Sequence, residues 1–147
     1  VGYSSRSIRL AAAALAVALV AVALGIRLAR DGHLQSSGRL EQDTGTALYA
    51  AVVYLGVVFI RPRINAYLAG VIALAVCWLV EAAQLTTIPA TLSSYSPAIR
   101  LLVGAHFDWH DVAWYPVGIA PLVVIHRFLR KGVPHVDRQG ETGDVHR

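Results

Sequence analysis

AYLAGVIALAVCWLVEAAQL, residues 66–85, carries one charged side chain, Glu81, in an otherwise apolar run. Asn65 precedes it as an N-cap, and Thr86, Thr87 and Pro89 end it. At about 1.5 Å per residue such a helix crosses a hydrocarbon core of about 30 Å. Glu81 comes fifteen residues after Ala66, about 22 Å along the axis, so it lies a little beneath the far surface. An ionisable side chain in the hydrocarbon centre costs about 2.5–3.5 kcal/mol on insertion scales, and less near the interface. Glu81 is therefore expected to face a bundle interior or a cavity, not lipid. Gln84 shares its face at i+3, and Cys77 continues that face one turn below.

Outward from this run the pattern repeats. Leu10 to Ile26 is apolar and charge-free, behind Arg6 and Arg9. A cleavable signal peptide is the rival reading, because Ala21-Val22-Ala23 has the A-x-A form, but the apolar run continues past it. A polar segment from Arg27 to Gly45 follows, with Gly32, Ser36, Ser37 and Gly38 as loop formers. Thr46 to Ile60 is short for a span, and its outer end is expected to continue through polar residues shielded by neighbouring helices. Arg61-Pro62-Arg63 stops it. Ser96-Pro97 opens a short interfacial helix that Gly104 closes. Trp109 to His126 is the fourth stretch, and its interior Pro116 and Pro121 predict a kink. The expected fold is an all-α polytopic membrane protein with four transmembrane helices and a short interfacial helix between the third and fourth. Residues 1–131 form the single membrane domain, and 132–147 a disordered cytoplasmic tail.

Composition agrees. Of 147 residues, 56% are hydrophobic and 15% charged, with a mean hydropathy of +0.54; soluble proteins hold about 25% charged residues. The net charge of +4 does not point to nucleic acid, because the basic residues cluster beside apolar ends and not along a stripe. They read as topology signals and contacts to anionic lipid. With Cys77 as the only cysteine, neither an intrachain disulfide nor a cysteine-rich metal site is available. Arg6, Arg9, Arg61, Arg63, Arg127, Arg130, Lys131, Arg138 and Arg147 fall on one side, and Arg27, Arg30, Arg39 and Arg100 on the other. That bias predicts both termini in the cytoplasm and the second group outside.

Several helices should bring polar groups to the outer level. Counted back from Ile125, Asp111 lies about 21 Å up, and Asp43 and Thr46 reach a similar level. Arg27 sits at the outer end of the first helix. Glu81 is expected to pair with Arg27, Arg30 or Arg100; a buried ion pair that merely fixes helix register is the alternative. Asp108 suits the N-cap of the fourth helix, and Asp111 its dipole-favoured third position. Asp111, Tyr115 and Gly118 share one face as a polar, closely packed seam. His106, Asp108 and His110, with Glu81, are weak metal candidates, but histidine and tryptophan are ordinary at a bilayer boundary, so no metal or other cofactor is assigned. Trp109 and Trp114 read as belt or packing residues, and Trp78 as packing. No nucleophile–base constellation, nucleophile elbow or phosphate loop is evident, so no catalytic residue is assigned.

Glu81-x-x-Gln84 followed by Gly104-x-x-Phe107-x-Trp109-x-Asp111-x-x-x-Tyr115-x-x-Gly118 resembles the small bacterial membrane proteins grouped as domain of unknown function 2809. That family also shows Gly-Asp-x-Leu-Trp/Tyr-Ala; Gly45-Thr46-Ala47-Leu48-Tyr49-Ala50 carries threonine for the aspartate, with Asp43 just upstream. The same skeleton is similar to VanZ-like proteins, in which asparagine is usual where Tyr115 stands. Members of that group are associated with low-level resistance to teicoplanin, a lipoglycopeptide that acts at the outer membrane face. The resemblance implies a bacterial cytoplasmic membrane and an envelope role. The leading expectation is a non-catalytic protein whose outward polar cleft binds a lipid head group, a lipid-linked wall precursor or a lipophilic antibiotic. Its cleft would use Glu81, Gln84, Asp111, Tyr115 and Asp43, with Arg27 and Arg100 as counter-charges. Membrane lipids are expected partners, nucleic acid is not, and an oligomer is left open. The alternatives are a membrane-embedded hydrolase, with Glu81 or Asp111 as base and metal assistance through His106 and His110, and a small transporter or channel subunit.

Overall fold

A computed structural model describes residues 4–33, 38–86 and 107–131. They form four helices: α1 (Ser5–His33), α2 (Gly38–Ile60), α3 (Ala66–Ala83) and α4 (Trp109–Lys131). The segments Ser5–Ile26, Gln42–Ile60, Ala66–Ala83 and Trp109–Arg130 are each long and apolar enough to cross a membrane. The expected interfacial helix, Arg100, His106 and the tail lie outside the described residues.

Each start has a local cause. Ser4 caps α1 through its hydroxyl oxygen, which accepts from the Ser7 amide at 3.1 Å. Asn65 caps α3 as the sequence predicts, its side-chain oxygen accepting from the Tyr67 amide at 2.9 Å. Asp108 caps α4 by accepting from the His110 amide at 2.8 Å. α2 begins at Gly38 and so continues outward through polar residues, as its short apolar run implies. Two boundaries depart from expectation. α1 runs on through Gly32 into the segment read as loop. α3 stops at Ala83, two residues before the expected end at Leu85, with Gln84 as its C-cap.

Helices consecutive in the chain run antiparallel, and α2 is the centre, packed against α1, α3 and α4, the last of these parallel to it. Its inward seam is Asp43, Thr46, Ala50, Tyr54 and Val58, all buried. The matching seam of α3 is Ala66, Ala69, Gly70, Ala73, Cys77 and Glu81, small residues that let helix axes approach until the single acid. Tyr115 and Ile119 face them from α4. Gly118 lets α4 cross α2 closely: an added Cβ would overlap the Ala47 carbonyl oxygen and lie 2.8 Å from its carbon. The remaining faces carry exposed apolar side chains such as Leu10, Val17, Val71, Leu79, Val124 and Phe128. Such a belt suits contact with hydrocarbon.

Pro116 and Pro121 are both inside α4. Pro116 has no N–H for the carbonyl of Val112, one turn earlier. The indole Nε1 of Trp78 donates to that carbonyl at 3.3 Å. Trp78 is thus a donor to a proline-freed backbone group as well as a packing residue.

The arginine-bearing end is pinned by backbone contacts. Arg9 Nε donates to the Phe59 carbonyl at 3.1 Å, at the C-terminus of α2. Arg130 donates to the carbonyls of Ile64 and Arg63 at 2.9 and 3.0 Å, tying α4 to the α2–α3 turn. One turn further in, the Tyr54 hydroxyl lies 2.7 Å from His126 Nδ1.

Candidate functional site

At the opposite end, polar side chains of α2, α3 and α4 meet at one level. Glu81 reaches it because the small residues below it hold α3 close to its neighbours. It is 1% exposed. Its Oε2 accepts from the Tyr115 hydroxyl at 2.6 Å, and its Oε1 accepts from the Asp108 amide at 2.8 Å. The second bond ties the end of α3 to the cap of α4, so one side chain sets where α4 begins.

Asp108 works as a junction. One carboxylate oxygen caps α4 through the His110 amide, and the other accepts from Gln42 Nε2 at 3.0 Å. One turn on, Asp111 Oδ1 lies 2.7 Å from Thr46 Oγ1. The Thr46 hydroxyl is also 3.0 Å from the Gln42 carbonyl, so its proton lies between two acceptors, the carboxylate nearer. Asp43 Oδ1 lies 2.9 Å from His110 Nδ1. That contact has ion-pair distance without hydrogen-bond alignment, and the oxygen has no other partner among the described residues. The Tyr49 ring leans on Tyr115 with centroids 6.3 Å apart, closing the inner side of the cluster.

Burial is graded across this layer. Glu81 and Tyr115 are sealed, Asp43 and Thr46 nearly so, Asp108 and Asp111 half-buried, and the His110 side chain 51% exposed. Phe107 and Trp109 stack edge to face beside it at 5.0 Å. Sealed carboxylate bonds thus lie beneath an accessible acidic rim.

Glu81, Asp43, Thr46 and Asp111, the residues whose depth along their helices is similar, lie in one polar layer, and Tyr115, one turn deeper than Asp111 on α4, bonds Glu81. Glu81 does not open onto a cleft: both of its oxygens go to neutral donors, a phenol and a backbone amide. The Arg27 side chain and all of Arg100, the expected counter-charges, lie outside the described residues. Gln84 is the α3 C-cap, its amide donating to the Glu81 carbonyl at 3.0 Å. Among the described residues no three His, Cys, Asp or Glu side chains are grouped to hold a metal ion. Of the three candidates, His110 faces Asp43, Asp108 is the α4 cap, and His106 lies outside the described residues. Gln42, as a site residue, was not signalled by the sequence, and Thr46 was signalled only by depth. Their i, i+4 spacing on one helix, flanking Asp43, is the signal that could have found them.

Residues 35–119 match the profile of a family described as protein of unknown function, DUF2809. No solved structure matches the chain.

Proposed function

The chain belongs to the DUF2809 family of proteins of unknown function, and we propose its role from the chemistry of its polar end. It is a non-enzymatic, multi-pass protein of a bacterial cytoplasmic membrane, with both termini cytoplasmic. Its polar rim binds the head group of a lipid-linked envelope component or of a lipophilic antibiotic, as the similarity to VanZ-like proteins implies. The observation that supports this is the gradient of exposure: a sealed Glu81–Tyr115 bond beneath an open rim of Asp108, Asp111 and His110. Glu81 and Tyr115 position the rim, and its carboxylates meet the ligand. An acidic, imidazole-bearing rim suits a cationic or hydroxyl-rich head group, because carboxylates accept from ammonium and hydroxyl donors.

The test is sensitivity to envelope-acting drugs. Deletion should raise it, and the native chain should restore resistance. Asp111→Asn and His110→Gln, at matched protein levels, should not. Full rescue by both variants would exclude the rim as the site.

One contact favours a second reading. Asp43 Oδ1 lies 2.9 Å from His110 Nδ1, and a turn of the exposed imidazole would bring the pair into the alignment by which a carboxylate orients a general base, which a membrane-embedded hydrolase would use. Incubating purified protein with a radiolabelled lipid-linked precursor separates the two: binding retains it intact, hydrolysis releases its head group.

A further inference from the structure

Among the described residues the other end of the bundle carries only basic charge, whereas the rim end mixes its acids with Arg27, Arg30 and Arg39. Every acid of the four helices, Asp31, Glu41, Asp43, Glu81 and Asp111, lies toward the rim end. Arg6, Arg9, Arg61, Arg63, Arg127 and Arg130 lie toward the opposite one. These arginines are not equivalent. Arg9 and Arg130 spend their guanidinium groups on backbone carbonyls, as described above. Arg127 lies over the Tyr67 ring, 4.9 Å from its centroid, which holds the group by cation–π attraction and leaves its N–H edge free for another acceptor. Arg61 and Arg63 are exposed and have no side-chain partner among the described residues. Arg130 grips the carbonyls of Arg63 and Ile64, so the turn bearing these two arginines is fixed against the α4 segment bearing Arg127.

Apolar side chains interleave with these charges. Tyr67 and Leu68 on α3, and Phe128 and Leu129 on α4, are all exposed beside them. Free phosphate has no use for such neighbours, and neither does the acidic tail sequence with Asp137, Glu141 and Asp144. An amphiphile with a phosphate over acyl chains satisfies both halves of the surface. We propose that the Arg61-Pro62-Arg63 turn and Arg127, held together by Arg130, bind the head group of an anionic phospholipid, with its chains lying along Tyr67, Leu68 and Phe128. Guanidinium forks suit phosphate oxygens in paired hydrogen bonds.

The experiment measures lipid binding to the purified full chain in detergent by native mass spectrometry, using phosphatidylglycerol, phosphatidylcholine and inorganic phosphate as probes. Phosphatidylglycerol should bind more tightly than phosphatidylcholine, and inorganic phosphate should not displace it at equal concentration. Each basic group near an anionic lipid contributes about fivefold in affinity. Arg61→Gln with Arg63→Gln should thus weaken phosphatidylglycerol binding roughly 25-fold, while thermal unfolding in phosphatidylcholine stays unchanged. Arg30→Gln with Arg39→Gln removes the same charge from the other end and should weaken it less than twofold. Equal binding of the two lipids, displacement by phosphate alone, or equal loss in the two double variants would each overturn the proposal.

Discussion

Tyr115→Phe isolates the bond at the base of the polar cluster. Phenylalanine keeps the ring that packs on Tyr49 and removes only the hydroxyl 2.6 Å from Glu81 Oε2. Glu81 is 1% exposed and Tyr115 4%, so water cannot readily replace the lost donor. A buried acceptor left without its donor costs about 1–3 kcal/mol, more if it is charged. Measured inter-helix couplings within membranes average only about 0.6 kcal/mol, with a maximum near 1.7, because the unfolded chain also finds partners. A short bond to a carboxylate belongs at the upper end, so Tyr115→Phe should cost about 1.5 kcal/mol. The assay is reversible unfolding in mixed micelles, run as a double-mutant cycle with Glu81→Gln. A coupling energy above about 1 kcal/mol is expected. Coupling below about 0.5 kcal/mol would refute the sealed bond as the link between α3 and α4.

Three further outcomes follow from packing and backbone accounting. Gly118→Ala drives a Cβ into the Ala47 backbone and should cost about 3 kcal/mol, whereas Gly56→Ala, with nothing within 4 Å, should stabilise α2 slightly; comparative thermal unfolding in detergent reads both. Trp78→Phe should cost about 1 kcal/mol by orphaning the Val112 carbonyl, and Pro116→Ala, which restores the helical donor, should remove most of that cost in the same unfolding assay. Arg130→Gln and Asn65→Ala should each weaken the α2–α3 turn by about 1 kcal/mol, seen as faster hydrogen exchange at residues 64–69 with no change at residues 46–50.

The four spans were legible because a bilayer allows few solutions: each needs an apolar run of about 20 residues. The caps Asn65 and Asp108, and the seam of Asp111, Tyr115 and Gly118, were legible because they depend on neighbours within one helix. Counting rise per residue put Glu81 and Asp111 at one level, and Asp111 indeed meets Thr46 while Glu81 holds the start of α4. That α2 continues outward through polar residues was legible, because its apolar run is too short to span alone. Which partners those residues meet was not: Gln42 and Thr46 bond to Asp108 and Asp111, and Asp43 lies against His110, all on α4 or its cap. The partners of Glu81 were missed for a related reason. An arginine is the obvious mate for a membrane carboxylate, but one acceptor goes to a backbone amide, which no side-chain pattern reveals. Arg9 and Arg130 read in the sequence only as topology charges, because their carbonyl partners lie far along the chain.

The direct measurement is cysteine labelling from the cell exterior with a membrane-impermeant maleimide, in a Cys77→Ser background. His110→Cys should react in intact cells, Arg63→Cys only after the membrane is opened, and Glu81→Cys only after the protein is unfolded. Prompt exterior labelling at position 81, or reaction of position 63 before position 110, would contradict a sealed carboxylate beneath an outward acidic rim.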